Sequence, residues 1–233
     1  MTVEVRDHRH DGPGGRFLSA IARDAARTDA RPGVLVIPNI LGPKQMDVDR
    51  ATNLARLGYV AMVVDLYGEG NRPTRADPDP GRFMNALNAD RPHLRDRLHA
   101  ALAQLAGLDG VDPTRLAAIG YCFGGKAVLD LARSGAPLRA GVSFHGVYDP
   151  PGYPVVEPIR TKLLVCHGWD DPLATPAQTL DLAAELTAAG ADWQLLAFGH
   201  TAHAFTDATA AMPGHAMYHA AADRRSWTAM RDL

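Results

Sequence analysis

The 233-residue sequence contains only two cysteines, Cys122 and Cys166, too few for a disulfide framework. An apolar core must therefore hold the chain, and its 46% hydrophobic and 21% charged content is ordinary for a globular protein. No apolar run approaches the roughly 18 residues that a membrane helix needs. Met1 to Asp11 is polar and charged, so this stretch is not expected to be a signal peptide. Charge is not concentrated either. The formal net charge is −2, with no basic block and no interleaving of aromatic and basic residues, which argues against nucleic acid or an anionic membrane as partner. Internal repeats, low-complexity tracts and interdomain linkers are missing. Together these absences predict a reduced, cytoplasmic protein with residues 1–233 in a single domain, since α/β chains of this length commonly stay undivided.

What is present alternates. Val3-Glu4-Val5 and Arg16 to Ile21 flank Gly12-Pro13-Gly14-Gly15, the pattern of an N-terminal hairpin. Gly33 to Pro38 and Tyr59 to Val64 are continuously apolar, as strands buried on both faces should be. Between them Val48 to Leu57 reads as a helix stopped by Gly58. Arg72 to Gly81 reads as loop. Phe83, Met84 and Leu87 predict a short helix, and Leu94, Leu98, Leu102 and Leu105 line one face of a longer one. Asp112-Pro113 is expected to be a turn before a strand over Arg115 to Ile119. Ala140 to His145, Lys162 to His167 and Trp193 to Phe198 are further strands. Thr175-Pro176-Ala177-Gln178 is a capping box that opens a helix running to Ala189. His215 to Met230 is expected to be a closing helix. This alternation predicts an α/β fold, a doubly wound and mostly parallel sheet with helices on both faces.

The chemistry centres on Gly120-Tyr121-Cys122-Phe123-Gly124-Gly125. An apolar strand enters this stretch and a helix-favouring run leaves it, which is the nucleophile-elbow pattern with cysteine in the place usually held by serine. Glycine suits so sharp a strand-to-helix turn because a Cβ would strike neighbouring backbone. The turn would set Cys122 at a helix N-terminus, where the dipole favours the reactive thiolate. The plainer alternative is a buried small cysteine in a glycine-rich turn. A cysteine nucleophile also needs a base and a group to orient that base. Strand ends supply Cys122, then Asp171, then His203, the nucleophile–acid–histidine order of the α/β-hydrolase fold. Asp170 competes with Asp171 on this reading, and His200 competes with His203. His167 could simply end a strand, and Cys166 reads as core.

The chain resembles the dienelactone hydrolase family. The resemblance is carried by the elbow, by Asp65-Leu66-Tyr67-Gly68, by His167-Gly168-Trp169-Asp170-Asp171-Pro172 and by Gly199-His200-Thr201-Ala202-His203-Ala204-Phe205. It implies a Cys122–His203–Asp171 triad. The acid of the family stands just before Pro, and its histidine is followed by a small residue and Phe. It also implies an oxyanion hole built from the backbone N–H groups of Ile40 and Phe123, and hydrolysis of a small ester or lactone without a cofactor. Two positions depart from the family. Asn39 stands where members often carry Glu near the thiol, so His203 must activate the thiol alone, leaving Asn39 as a substrate hydrogen-bond donor or a turn residue. Asp207 stands where members acting on dienelactone hold the substrate carboxylate with Arg, which points to a neutral substrate.

Other readings are weaker. His200 with His203, or His215 with His219, have metal-like spacing but no third local ligand, so no metal is expected. Arg72, Arg75, Arg82 and Arg91 read as a solvated charged face. A non-catalytic binding module on the same scaffold would not need nucleophile, acid and base in order. A thiol-redox protein would need a resolving cysteine.

Overall fold

The computed structural model describes residues 2–233. Its first elements are β1 (Val3–Gly12) and β2 (Gly15–Asp24), which pair antiparallel around a Pro13-Gly14 turn. Then follow β3 (Arg31–Ile37), α1 (Gln45–Arg56), β4 (Val60–Val63), α2 (Arg82–Ala89) and α3 (Arg91–Ala106). The strand β5 (Val111–Tyr121) leads into α4 (Phe123–Arg133), and β6 (Ala140–Phe144), β7 (Lys162–Gly168), α5 (Pro176–Ala188) and β8 (Trp193–Phe198) continue the alternation. A small hairpin, β9 (Ala211–Met212) and β10 (Ala216–Met217), precedes α6 (Ala220–Asp232). Eight strands form a mostly parallel sheet in the order β1-β2-β4-β3-β5-β6-β7-β8, with β2 antiparallel to β4. Among the described residues, no helix is long and apolar enough to cross a membrane.

The chain falls into two compact units, one ending at Ile119 and one running Gly120–Leu233. In the first, β3 and β4 pair in parallel and are almost wholly buried, matching their unbroken apolar sequence. Leu94, Leu98, Leu102 and Leu105 of α3 are buried as their spacing predicts, and Asp90 caps that helix by accepting the His93 N–H (3.0 Å). Asp65 organises the loop after β4. It accepts the N–H groups of Tyr67 (2.9 Å), Gly68 (3.0 Å) and Leu18 (3.0 Å) and pairs with Arg72. The Asp65-Leu66-Tyr67-Gly68 motif is therefore loop architecture in this unit, and Arg72 is part of it rather than of a solvated face.

In the second unit α4 is buried along its whole length, which requires its polar side chains to be paired. The Arg133 guanidinium meets both carboxylate oxygens of Glu185 at 2.7 Å and reaches Asp130 and the Tyr148 carbonyl. Although burial works against its charge, these partners raise its pKa above the ordinary value. Lys126 pairs with Asp149 at 2.7 Å. The Thr175–Gln178 capping box opens α5 as predicted, with Gln178 accepting the Thr175 N–H at 2.9 Å.

Two further expectations are corrected. Asp112-Pro113 lies inside β5 rather than in a turn before it. Asp112 still makes a local turn contact with the Thr114 N–H (2.9 Å), and proline is tolerated near the start of a strand, where its missing donor matters least. The closing helix begins at Ala220, not His215, because the backbone from 211 to 217 forms β9 and β10 around Pro213-Gly214. His219 is the N-cap of that helix, accepting the Ala222 N–H (3.2 Å).

Candidate active site

The elbow is a single residue between β5 and α4. Cys122 sits at φ 56°, ψ −115°, a positive-φ backbone that costs a non-glycine residue about 1–3 kcal/mol. Its N–H points at the end of β6 and is shared between the Phe144 carbonyl (3.0 Å) and His145 Nδ1 (3.2 Å). Its own carbonyl accepts the Lys126 N–H (3.2 Å), which starts the first turn of α4. A Cβ on Gly120 would overlap the Gly124 carbonyl, and one on Gly125 would come within 2.7 Å of Ser143 Oγ and 2.9 Å of the Gly146 Cα. Glycine at these two points lets the turn close and lets α4 sit against the end of β6. Cys122 itself is partly exposed, whereas Cys166 is fully buried within β7.

Asp171 follows β7 in a turn closed by its N–H to the Gly168 carbonyl (3.0 Å). The carboxylate is buried and both oxygens are used. Oδ1 accepts the Leu173 N–H (2.8 Å), and Oδ2 lies 2.7 Å from His203 Nδ1. The turn is tied to the histidine loop by bonds from the Trp169 N–H to the Phe198 carbonyl (2.9 Å) and the Asp170 N–H to the Thr201 carbonyl (3.0 Å). His203 is braced from its other side by β10, whose Met217 N–H donates to the His203 carbonyl (2.9 Å), and by the His219 N–H on the Phe205 carbonyl (3.0 Å).

The imidazole of His203 is buried, and its Nε2 makes no hydrogen bond to a protein group within the distance and angle of one. Burial alone would lower its pKa. That effect is outweighed, first by the negative charge of the nearby Cys122 sulfur and then by the bond to Asp171, and the pKa rises to about 10. Geometry thus joins Asp171 and His203 directly, and electrostatics couples His203 to Cys122. The competing pair lies outside this arrangement. His200 is fully exposed, and its Nδ1 is 3.9 Å from Asp170 Oδ2, itself exposed. His167 is structural: its ring nitrogens meet Tyr148 Oη (3.1 Å) and Thr179 Oγ1 (3.2 Å), and burial lowers its pKa.

Of the remaining sequence candidates, Asn39 and Asp207 hold turns. Asn39, in the first unit, uses its side-chain oxygen to accept the Leu41 N–H (3.0 Å), and the neighbouring Ile40 carbonyl accepts the Tyr67 hydroxyl (3.1 Å). Phe123 is buried at the first position of α4. Asp207 is buried, with Oδ1 accepting the N–H (2.9 Å) and hydroxyl (2.6 Å) of Thr209.

Sequence reasoning passed over His145 and Thr206. His145 ends the run Ala140 to His145 and is buried against the elbow, with Nε2 at 2.8 Å from Thr206 Oγ1. Its ring stands edge-on to those of His203 and Phe205, with centroids 5.1 Å away in each case. The available signal was a histidine at a strand's C-terminal end, where doubly wound sheets gather their reactive groups.

The family model described as the dienelactone hydrolase family matches residues 19–233. A solved structure of a dienelactone hydrolase-like promiscuous phosphotriesterase, P91, from metagenomic libraries is 36% identical with a TM-score of 0.92, covering 99% of this chain and 97% of that one. A protein of Yersinia pestis, named provisionally as a carboxymethylenebutenolidase, is 27% identical over 231 residues, spanning 94% of this chain and 83% of its own length. A provisionally named dienelactone hydrolase of Klebsiella pneumoniae shares the fold at 20% identity, with a TM-score of 0.80 over 100% of this chain and 98% of that one.

Proposed function

The chain belongs to the dienelactone hydrolase family of α/β-hydrolases, and we propose that it cleaves a small neutral ester or lactone through Cys122, His203 and Asp171. The observation that carries this reading is the buried 2.7 Å bond between His203 and Asp171, on an imidazole whose pKa is raised to about 10 with Cys122 as the leading favourable influence. At neutral pH His203 is then imidazolium beside the Cys122 sulfur. The Cys122 sulfur attacks the carbonyl carbon, and the charge on the carbonyl oxygen falls near the N-terminus of α4, where the Phe123 N–H is the donor of the reading. As the tetrahedral adduct collapses, the C–O bond to the alcohol breaks, and Nε2 of His203 gives that oxygen its proton. For a lactone the released hydroxyl stays tethered to the thioester. Water then attacks the thioester, losing a proton to Nε2, and the carboxylic acid leaves as the thiolate is restored. Asp171 holds Nδ1 throughout, so the tautomer at Nε2 is the productive one.

Neutrality of the substrate rests on Asp207, a carboxylate where dienelactone-cleaving members of the family carry Arg. Two free thiols fit a reducing compartment, and we place the protein in the cytoplasm on that ground. The test is a stopped-flow burst of p-nitrophenol from a short-chain ester, in the native enzyme and in Cys122→Ala. A burst of one equivalent per chain that vanishes in the variant is expected. Equal turnover by the folded variant would refute the nucleophile.

A further inference from the structure

We propose that His145 is a positioning residue for the nucleophile, a neutral imidazole that fixes the strained elbow through Nδ1 and anchors it to the histidine loop through Nε2. The inference rests on the reading of Cys122 as the attacking group. A backbone N–H can only donate, so the 3.2 Å contact from the Cys122 N–H requires an unprotonated Nδ1 on His145. The proton then sits on Nε2 and is donated to Thr206 Oγ1 at 2.8 Å. Geometry thereby assigns the tautomer, one nitrogen to each partner.

Those partners belong to the two halves of the proposed chemistry. Cys122 is the elbow, and Thr206 lies three residues beyond His203 on the loop that carries the base. One buried ring bridges them, stacked edge-on against His203 and Phe205. The backbone makes the same point. His145 is itself left-handed at φ 39°, and its N–H is held by the Cys166 carbonyl at 2.8 Å. A residue that only filled space after β6 would need neither this conformation nor two matched ring nitrogens. Without the Nδ1 acceptor, the Cys122 N–H keeps the Phe144 carbonyl alone, and the sulfur is free to drift from the line to its carbonyl target. Misplacement of a reacting atom by about 1 Å costs on the order of a hundredfold in rate.

The test separates acceptor chemistry from volume and from backbone strain, using His145→Asn, His145→Gln and His145→Gly. Asn places an oxygen where Nδ1 stands and tolerates a left-handed backbone. Gln is the nearest in volume but carries its amide at the Nε2 end. Gly tolerates the backbone best and accepts nothing. Positioning through Nδ1 predicts that Asn keeps the highest kcat of the three. Gln and Gly should fall by roughly ten- to a hundredfold, with KM within about twofold of native and slower alkylation of Cys122 by iodoacetamide. Should Gln lead, volume is the role; should Gly equal or exceed Asn, backbone strain is. Either ranking overturns the inference. Thr206→Val, which leaves His145 in place, should lower kcat while Thr206→Ser restores it, and native kcat in Thr206→Val would remove the anchor. Cys122→Ala distinguishes the two levels: turnover there refutes the nucleophile itself. An inactive Cys122→Ala beside fully active His145 variants refutes this inference alone.

Discussion

Asp171→Asn is the substitution whose outcome the geometry fixes most closely. Oδ1 must go on accepting the Leu173 N–H, now 2.8 Å away. The replacement amide therefore keeps its oxygen on that side and turns its NH2 toward His203 Nδ1. Nδ1 must then accept, which moves the imidazole proton to Nε2, the atom that takes and returns protons in the proposed reaction. A triad with its histidine in the wrong tautomer loses about 10⁴ in kcat. The lost carboxylate also removes a hydrogen bond to a charged group, which contributes about 1.5–3 kcal/mol, or roughly one to two pKa units. His203 has a raised pKa, so its charged form is complete below the ordinary histidine range and is lost as pH rises through about 10. In the variant that loss should move down to roughly pH 8–9. The assay is acid release from an alkyl ester across pH 6 to 11. An alkyl ester is chosen because its alkoxide leaving group needs the imidazolium proton, whereas nitrophenolate does not. A variant within about tenfold of native, with its alkaline limb unmoved, would refute the role of the Asp171–His203 bond.

Iodoacetamide should modify Cys122 well before Cys166, since Cys166 is fully buried and burial pushes its thiol up to about 12; mass mapping that finds Cys166 first contradicts this. His203→Ala should remove turnover while His200→Ala and Asp170→Ala stay within a fewfold of native, because both of the latter side chains are exposed; a reversed ranking in kcat/KM would exchange the assignments. Asp207→Asn keeps an oxygen for Thr209 and removes the charge, so kcat/KM for a carboxylated lactone should rise at least about fivefold over its neutral match, from a repulsion of about 1 kcal/mol. An unchanged ratio places Asp207 outside substrate recognition.

The strands β3, β4, β6 and β7 were legible because burial on both faces writes an unbroken apolar run into the sequence. The leucines of α3 and the capping box of α5 were legible because their partners lie within one or two helical turns. Less visible was structure that depends on distant backbone. Residues 215–219 carry helix-compatible side chains, yet Met217 and His219 donate their N–H groups to the carbonyls of His203 and Phe205. Those acceptors lie more than ten positions upstream, and no local pattern announces them. The same is true of His145, whose meaning comes from Cys122 and Thr206, 23 and 61 residues away. Asp207 shows a further limit: its position in a motif was readable, but its turn with Thr209 was not.

Among the described residues, the left-handed non-glycine positions are Cys122, His145, His200 and Ala204, and their placement bears on how the site stays in register. Each such residue relaxes toward ordinary backbone unless its surroundings overdetermine it. Cys122 has two acceptors on its N–H and the first turn of α4 on its carbonyl. His145 is fixed at its N–H by Cys166 and at both ring nitrogens. Ala204 accepts the Asp207 N–H at 2.9 Å, and the carbonyls on either side of it are held by Met217 and His219. His200 instead is exposed, at the loop's outer bend. The strain closest to the sulfur and the imidazole is thus held partly within its own turns and partly by bonds from other strand ends, from β10 and from the N-cap of α6. A substitution far along the sequence, in the β9–β10 hairpin, therefore reaches His203 through the Met217 N–H on its carbonyl.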